Sequence, residues 1–140
     1  MRLFFTTDMR FLRKYPLTLC CVALIWYLCL FTPPKTKLDQ VTNIDKLVHV
    51  AMYLGTMSLF WVEYWRSGRV LPSFTRHSLP LFSVVLPILM SLVIEIVQEY
   101  CTNGRRSGDV WDFLANSLGV LLAWVLGRTI IKSWFYKRRG

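Results

Sequence analysis

The sequence predicts an all-α fold, an integral membrane four-helix bundle with short loops, forming a single domain over residues 1–140. Three observations predict it. At 54% hydrophobic and 15% aromatic residues, the 140-residue chain is too apolar for an ordinary soluble domain. Four apolar windows, 15–31, 47–65, 79–100 and 110–131, each come near the ~20 residues that a helix needs to cross a bilayer. The 17 Lys and Arg residues also divide unevenly between the two sides that such a path would create.

The first window has a basic lead (Arg2, Arg10, Arg13, Lys14) and ends at Thr32-Pro33-Pro34, where proline cannot continue a helix. It resembles a signal peptide, but no small-x-small cleavage site follows, so it is read as an uncleaved helix. Cys20, Cys21 and Cys29 lie inside it as small apolar residues and Cys101 stands apart, so neither a disulfide framework nor a metal-type cysteine spacing is present. The second window opens on Asp45, Lys46 and His49. A basic turn with Gly68 and Pro72 leads to the third, which carries Pro80 at its start and Pro87 at mid-membrane depth, where it either kinks the helix or is tolerated with neighbours repairing the backbone. A glycine-containing turn, Thr102 to Gly108, holds Arg105 and Arg106 and feeds the fourth window through Asp109.

With the N-terminus inside, Arg2, Arg10, Arg13, Lys14, Arg66, Arg69, Arg76, Arg128, Lys132, Lys137, Arg138 and Arg139 are cytoplasmic, and Lys35, Lys37, Lys46, Arg105 and Arg106 are outside. Short basic loops stay in the cytoplasm, so both termini are expected there. The net charge of +9 sits beside apolar spans instead of along one recognition element, which points to anionic lipid and not to nucleic acid. Trp26, Tyr27, Trp61, Tyr64, Trp65, Trp111, Trp134 and Tyr136 are expected to form an interfacial belt.

Polar residues recur at helical spacing within this apolar frame. Asp45, His49 and Tyr53 share one stripe, a carboxylate and an imidazole that can serve as a base or relay, or simply cap and tie helices. Glu95, Gln98 and Glu99 share an arc of the third segment, with Arg105 or Arg106 the expected counter-charge for Glu95. Asp109, Asp112, Asn116 and Gly119 line the fourth, where the aspartates suit a helix N-terminus. Asn116 lies too deep to cap and must find a partner inside the bundle, while Gly119 permits close helix approach. All three stripes fall at the same, outer end, and ionisable groups so placed are candidate functional residues.

Four stretches, Asp45-Lys46-x-x-His49-x-x-x-Tyr53, Glu95-x-x-Gln98, Arg106-x-x-Asp109-x-x-Asp112 and Asn116-x-x-Gly119, together resemble the VanZ-like family of small membrane proteins over residues 45–119. The family name derives from a member linked to glycopeptide, especially teicoplanin, resistance, and most members have no assigned biochemical activity. With this resemblance the chain is expected to be a multi-pass protein of the bacterial cytoplasmic membrane, and the charge bias puts its site on the extracytoplasmic face. Its characteristic residues match Asp45, Lys46, His49, Glu95, Gln98, Arg106, Asp109, Asp112 and Asn116 here; the adjacent Arg105 departs slightly from the pattern, and the spacing to Asp109 selects Arg106.

Three function classes follow. In an enzyme acting on a lipid-linked envelope precursor, His49 and Glu95 would share acid and base roles, with Asp45 and Asp112 completing the catalytic set by orienting them, while Lys46, Gln98, Arg105, Arg106, Asp109 and Asn116, itself also orienting, form the substrate-binding set. A binding module for an anionic headgroup needs the same cations without proton transfer. A structural bundle needs only the hydrogen bonds. No cofactor is identified and no residue is assigned to a metal, although a carboxylate and histidine metal centre is a variant of the enzyme reading.

Overall fold

The computed structural model describes residues 12–31, 43–69, 79–104 and 107–140. Among these every regular element is helical. Helix α1 (Pro16–Leu30) starts with proline in its first turn, where the missing N–H costs nothing, and is apolar on every side. Helix α2 (Ile44–Arg66) starts from Asn43 in the left-handed region, at φ 66°. Helix α3 (Leu86–Cys101) follows a π-turn, Leu81–Val85, which accommodates Pro87: the Leu86 N–H reaches back to the Leu81 carbonyl, and the widened turn relieves the crowding a proline creates one turn earlier. Helix α4 (Val110–Leu126) passes through a second π-turn, Gly127–Ile131, into α5 (Lys132–Arg139), so helical structure runs past the expected end at 131.

Two continuous stretches, Leu81–Cys101 with 21 residues and Val110–Arg138 with 29, are long and apolar enough to cross a membrane. Helix α1, at 15 residues, is apolar but shorter, and α2 carries Asp45, Lys46, Glu63 and Arg66 within its 23 residues.

The four longer helices alternate in direction. Helix α1 runs against α2, with Tyr15 stacked on Phe60 at 5.3 Å. Helix α4 runs against α3, with Asn116 bonded to Ser91 and the Asp109 N–H bonded to Glu95. Helices α2 and α4 therefore run parallel, and they form the most intimate pair. Glycine sets that intimacy. A Cβ on Gly119 would lie 2.6 Å from the Val50 carbonyl oxygen, and one on Gly127 would fall inside the Trp61 ring. The Gly127 carbonyl also accepts the Trp65 indole N–H at 3.1 Å.

Polarity is arranged inside out. His49, Ser91, Gln98, Asn116 and Glu63 are buried, whereas Leu89, Val93, Leu118, Leu121 and Val125 are 47% to 52% exposed on the outer faces of α3 and α4. Apolar exteriors of this kind are compatible with contact to lipid tails. The expected aromatic belt is only partly formed. Trp111, Trp134 and Tyr136 are exposed, but Trp61 and Tyr64 are buried in an aromatic cluster with Phe60 and Trp65, because the bare surface of Gly127 admits the Trp61 ring.

Candidate functional site

The polar end is built on the start of α2, the end of α3 and the start of α4. Asp109 caps α4, accepting the Trp111 N–H at 2.9 Å, as an acidic N-cap should. Its other oxygen accepts a 2.8 Å bond from Lys46 Nζ. The same ammonium lies 3.1 Å from Asp112 Oδ1, an ion pair that falls short of a hydrogen bond and leaves that oxygen without one among the described residues. The hydrogen bond to Asp109, and next the close contact with the Asp112 carboxylate, hold the Lys46 pKa above its usual value. Lys46, followed by the Trp111 N–H, holds Asp109 below the usual carboxylate range.

One turn deeper, His49 Nδ1 faces Asn116 Oδ1 at 2.9 Å, and Asn116 Nδ2 donates to Ser91 Oγ at 2.8 Å. This buried chain ties α2, α4 and α3 together. With the amide so oriented, Asn116 Oδ1 accepts a hydrogen bond from the Nδ1–H, and Nε2 faces outward to Asp112 Oδ2 at 3.6 Å and Asp45 Oδ1 at 4.0 Å. Asp45 is itself 59% exposed by its side chain, at the mouth of the site.

The carboxylates of α3 reach across to the turn before α4. Glu95 Oε2 accepts the Asp109 N–H at 3.0 Å, and Glu99 Oε2 accepts the Gly108 N–H at 2.9 Å. Gly108 must be small here, since a Cβ would lie 2.6 Å from the Glu95 carbonyl oxygen. Glu95 is 7% exposed, and its Oε1 has no hydrogen-bond partner among the described residues.

Asp45, Lys46, His49, Asp109, Asp112 and Asn116 thus converge, with Glu95 on the facing helix. Gln98 does not join them: its amide donates to the Cys29 carbonyl of α1 at 2.7 Å, so it fastens α1 to α3. Arg105 and Arg106, including the expected pairing of either with Glu95, lie outside the described residues.

Two participants escaped sequence reasoning. Ser91 carries a signal that could have revealed it, since it lies four residues before Glu95 on the same stripe. Glu63 forms a separate node at the opposite end, 1% exposed, where it accepts the Leu17 and Thr18 N–H groups at 3.0 Å and the Thr18 hydroxyl at 2.7 Å. Arg66 stands 3.8 Å away. A lone carboxylate inside an apolar run was its signal.

Lys46 also heads a groove of about 620 Å³ between α2 and α4, lined by Leu47, Val50, Trp111, Leu114, Ala115 and Leu118 among others. The VanZ/LLP1 family model matches residues 10–132. The chain belongs to the VanZ/LLP1 family. No curated protein and no solved structure matches it. Family membership and two apolar membrane-length helices together indicate a membrane protein.

Proposed function

We propose that this VanZ/LLP1 protein is a four-helix, multi-pass bundle of the bacterial cytoplasmic membrane that binds, and acts on, a lipid-linked envelope precursor or another lipid with an anionic headgroup. The observation that carries this is the position of Lys46: it belongs to a convergent His, Asp and Asn cluster and stands at the head of an apolar groove. The groove suits an acyl or isoprenoid chain, and the cluster suits its headgroup. Arg105 and Arg106, in the turn just before Asp109, supply further positive charge in this reading.

Charge bias supports an extracytoplasmic site with both termini inside. Arg13, Lys14, Arg66, Arg69, Lys132 and Lys137 belong to the opposite end of the helices, where cytoplasmic retention of basic residues is the rule. His49 and Glu95 are the proposed acid and base, since both are buried and each keeps one polar atom without a hydrogen bond from the described residues.

The test uses full-length protein in phosphatidylcholine nanodiscs, challenged with a long-chain polyprenyl phosphate and with the corresponding alcohol. The phosphate should bind more tightly. Lys46→Gln, which removes a charge-assisted contact of about 1.5–3 kcal/mol, should weaken it at least about tenfold. Equal binding of phosphate and alcohol overturns the proposal. In cells, expression of the intact chain should raise tolerance to teicoplanin, and His49→Gln at equal protein level should not.

A structural role is the second reading, favoured by the buried bonds of Asn116 and Gln98 between helices. It requires Glu95→Gln and His49→Gln to alter stability in proportion to any loss of binding. Binding lost at unchanged stability excludes it.

A further inference from the structure

We propose that Asp45, His49 and Asp112 form a binding site for one divalent ion of the zinc class. One ligand atom from each lies within 4.8 Å of the other two. His49 Nε2 stands 3.6 Å from Asp112 Oδ2 and 4.0 Å from Asp45 Oδ1, too far for hydrogen bonds. A tetrahedral ion with bonds of about 2.0–2.1 Å sets its ligand atoms roughly 3.3 Å apart, so these spacings need to close modestly. Asp45 is more than half exposed and can swing to close the longer one.

The surroundings favour a cation at this point. His49 Nε2 and two carboxylates converge with no cation between them among the described residues, and Lys46 reaches Asp112 from its other oxygen, Oδ1. The histidine is held as metal-binding histidines are, by a hydrogen bond on its far nitrogen, here to Asn116, which Ser91 orients in turn.

A second observation comes from α3. Glu95 is buried at 7% exposure, and its Oε1 has no hydrogen-bond partner among the described residues, while its Oε2 accepts the N–H of Asp109 at the same end. That carboxylate joins Asp45, Asp109 and Asp112 at one polar end, where Lys46 is the cation paired with Asp109 and Asp112 among the described residues. An ion held by three protein ligands keeps a fourth corner open, and a headgroup phosphate oxygen is a fitting occupant. That last step rests on the lipid reading above. The metal site itself does not, and with the ion bound His49 is a ligand, which leaves the acid–base role to Glu95.

The test titrates metal-stripped, full-length protein in nanodiscs with Zn²⁺, and separately with Co²⁺ to read coordination from its visible spectrum. One Zn²⁺ per chain and a tetrahedral or five-coordinate Co²⁺ spectrum are expected. His49→Gln and Asp112→Asn should each weaken Zn²⁺ binding by more than about tenfold, and Asn116→Ala by about tenfold through loss of ring orientation. Lys46→Gln should tighten it, because the competing ammonium is gone. This opposite sign is one that general misfolding cannot produce. Absence of saturable Zn²⁺ binding, an aquo-like Co²⁺ spectrum, or equal affinity in wild type and His49→Gln overturns the site. Zn²⁺ binding without any effect of Zn²⁺ on polyprenyl phosphate capture keeps the metal site and removes the headgroup from its fourth corner.

Discussion

Adding one methyl group to either of two glycines should have opposite consequences. At Gly119 a Cβ would lie 2.6 Å from the Val50 carbonyl oxygen, 3.0 Å from the Leu54 nitrogen and 3.1 Å from Tyr53 Cβ, while at Gly55 nothing stands within 4 Å. Two of the Gly119 neighbours are backbone atoms of α2 and cannot turn aside, so α2 and α4 must move apart by several tenths of an ångström. Overpacking of this kind costs about 1–3 kcal/mol. Gly55→Ala meets no obstacle and gains up to about 1 kcal/mol from helix propensity.

The Gly119 strain also falls within one turn of Asn116, so the 2.9 Å contact to His49 should stretch and the candidate site should weaken with the fold. Reversible unfolding in mixed micelles measures both variants, and nitrogen-15 spectra of the His49 ring report the second effect. If Gly119→Ala is as stable as Gly55→Ala, close α2–α4 contact is the wrong account.

Gly127→Ala should destabilise by a similar amount, about 1–3 kcal/mol, because its methyl falls inside the Trp61 ring; a blue or red shift of tryptophan emission in the folded state reports the displaced ring. Glu63→Ala leaves the Leu17 and Thr18 N–H groups of α1 without their acceptors and should cost about 2–4 kcal/mol, with faster proteolysis at Arg13 and Lys14; unchanged proteolysis argues against the capping role. The Lys46–Asp109 pair should make stability depend on pH at both extremes. Asp109, lowered by Lys46, contributes above its unfolded value of 3.8 and loses that contribution as pH falls through its folded value, while Lys46, raised by Asp109, contributes fully below 10.5 and loses it as pH climbs through its folded value. Lys46→Gln should flatten both limbs of the unfolding profile, and limbs that survive it belong to other groups.

Helical phase made much of the candidate site legible. Asp45 and His49, or Asp112 and Asn116, are one turn apart, so any helix through them must present both on one face, and the structure brings those faces together. Asn116 illustrates how depth carries information: too far from the helix start to cap it, it had to bond within the bundle, and it does so with His49 and Ser91. Gly119 followed the same logic of close approach.

The rest needed three dimensions. Gln98 follows Glu95 by three residues, close enough in phase to suggest a common partner, yet the small angular offset turns it toward the Cys29 carbonyl of α1. Glu63 was invisible to a hydropathy window, which averages one carboxylate into its apolar neighbours. The burial of Trp61 depended on a glycine 66 residues later, a contact that no local pattern encodes.

The apolar surface of α1 has a consequence for assembly. In lipid, a cylinder that is equally greasy all round gains little by choosing one orientation over another, since tails solvate each side alike. Glu63 grips its first turn and Gln98 its last, so these two bonds form a key with teeth at both ends of the shaft. A slip of one residue rotates the helix by about 100° and shifts it by about 1.5 Å, which disengages both teeth at once. Docking of the first helix should therefore be all-or-none, with its register read from two polar residues that belong to its neighbours.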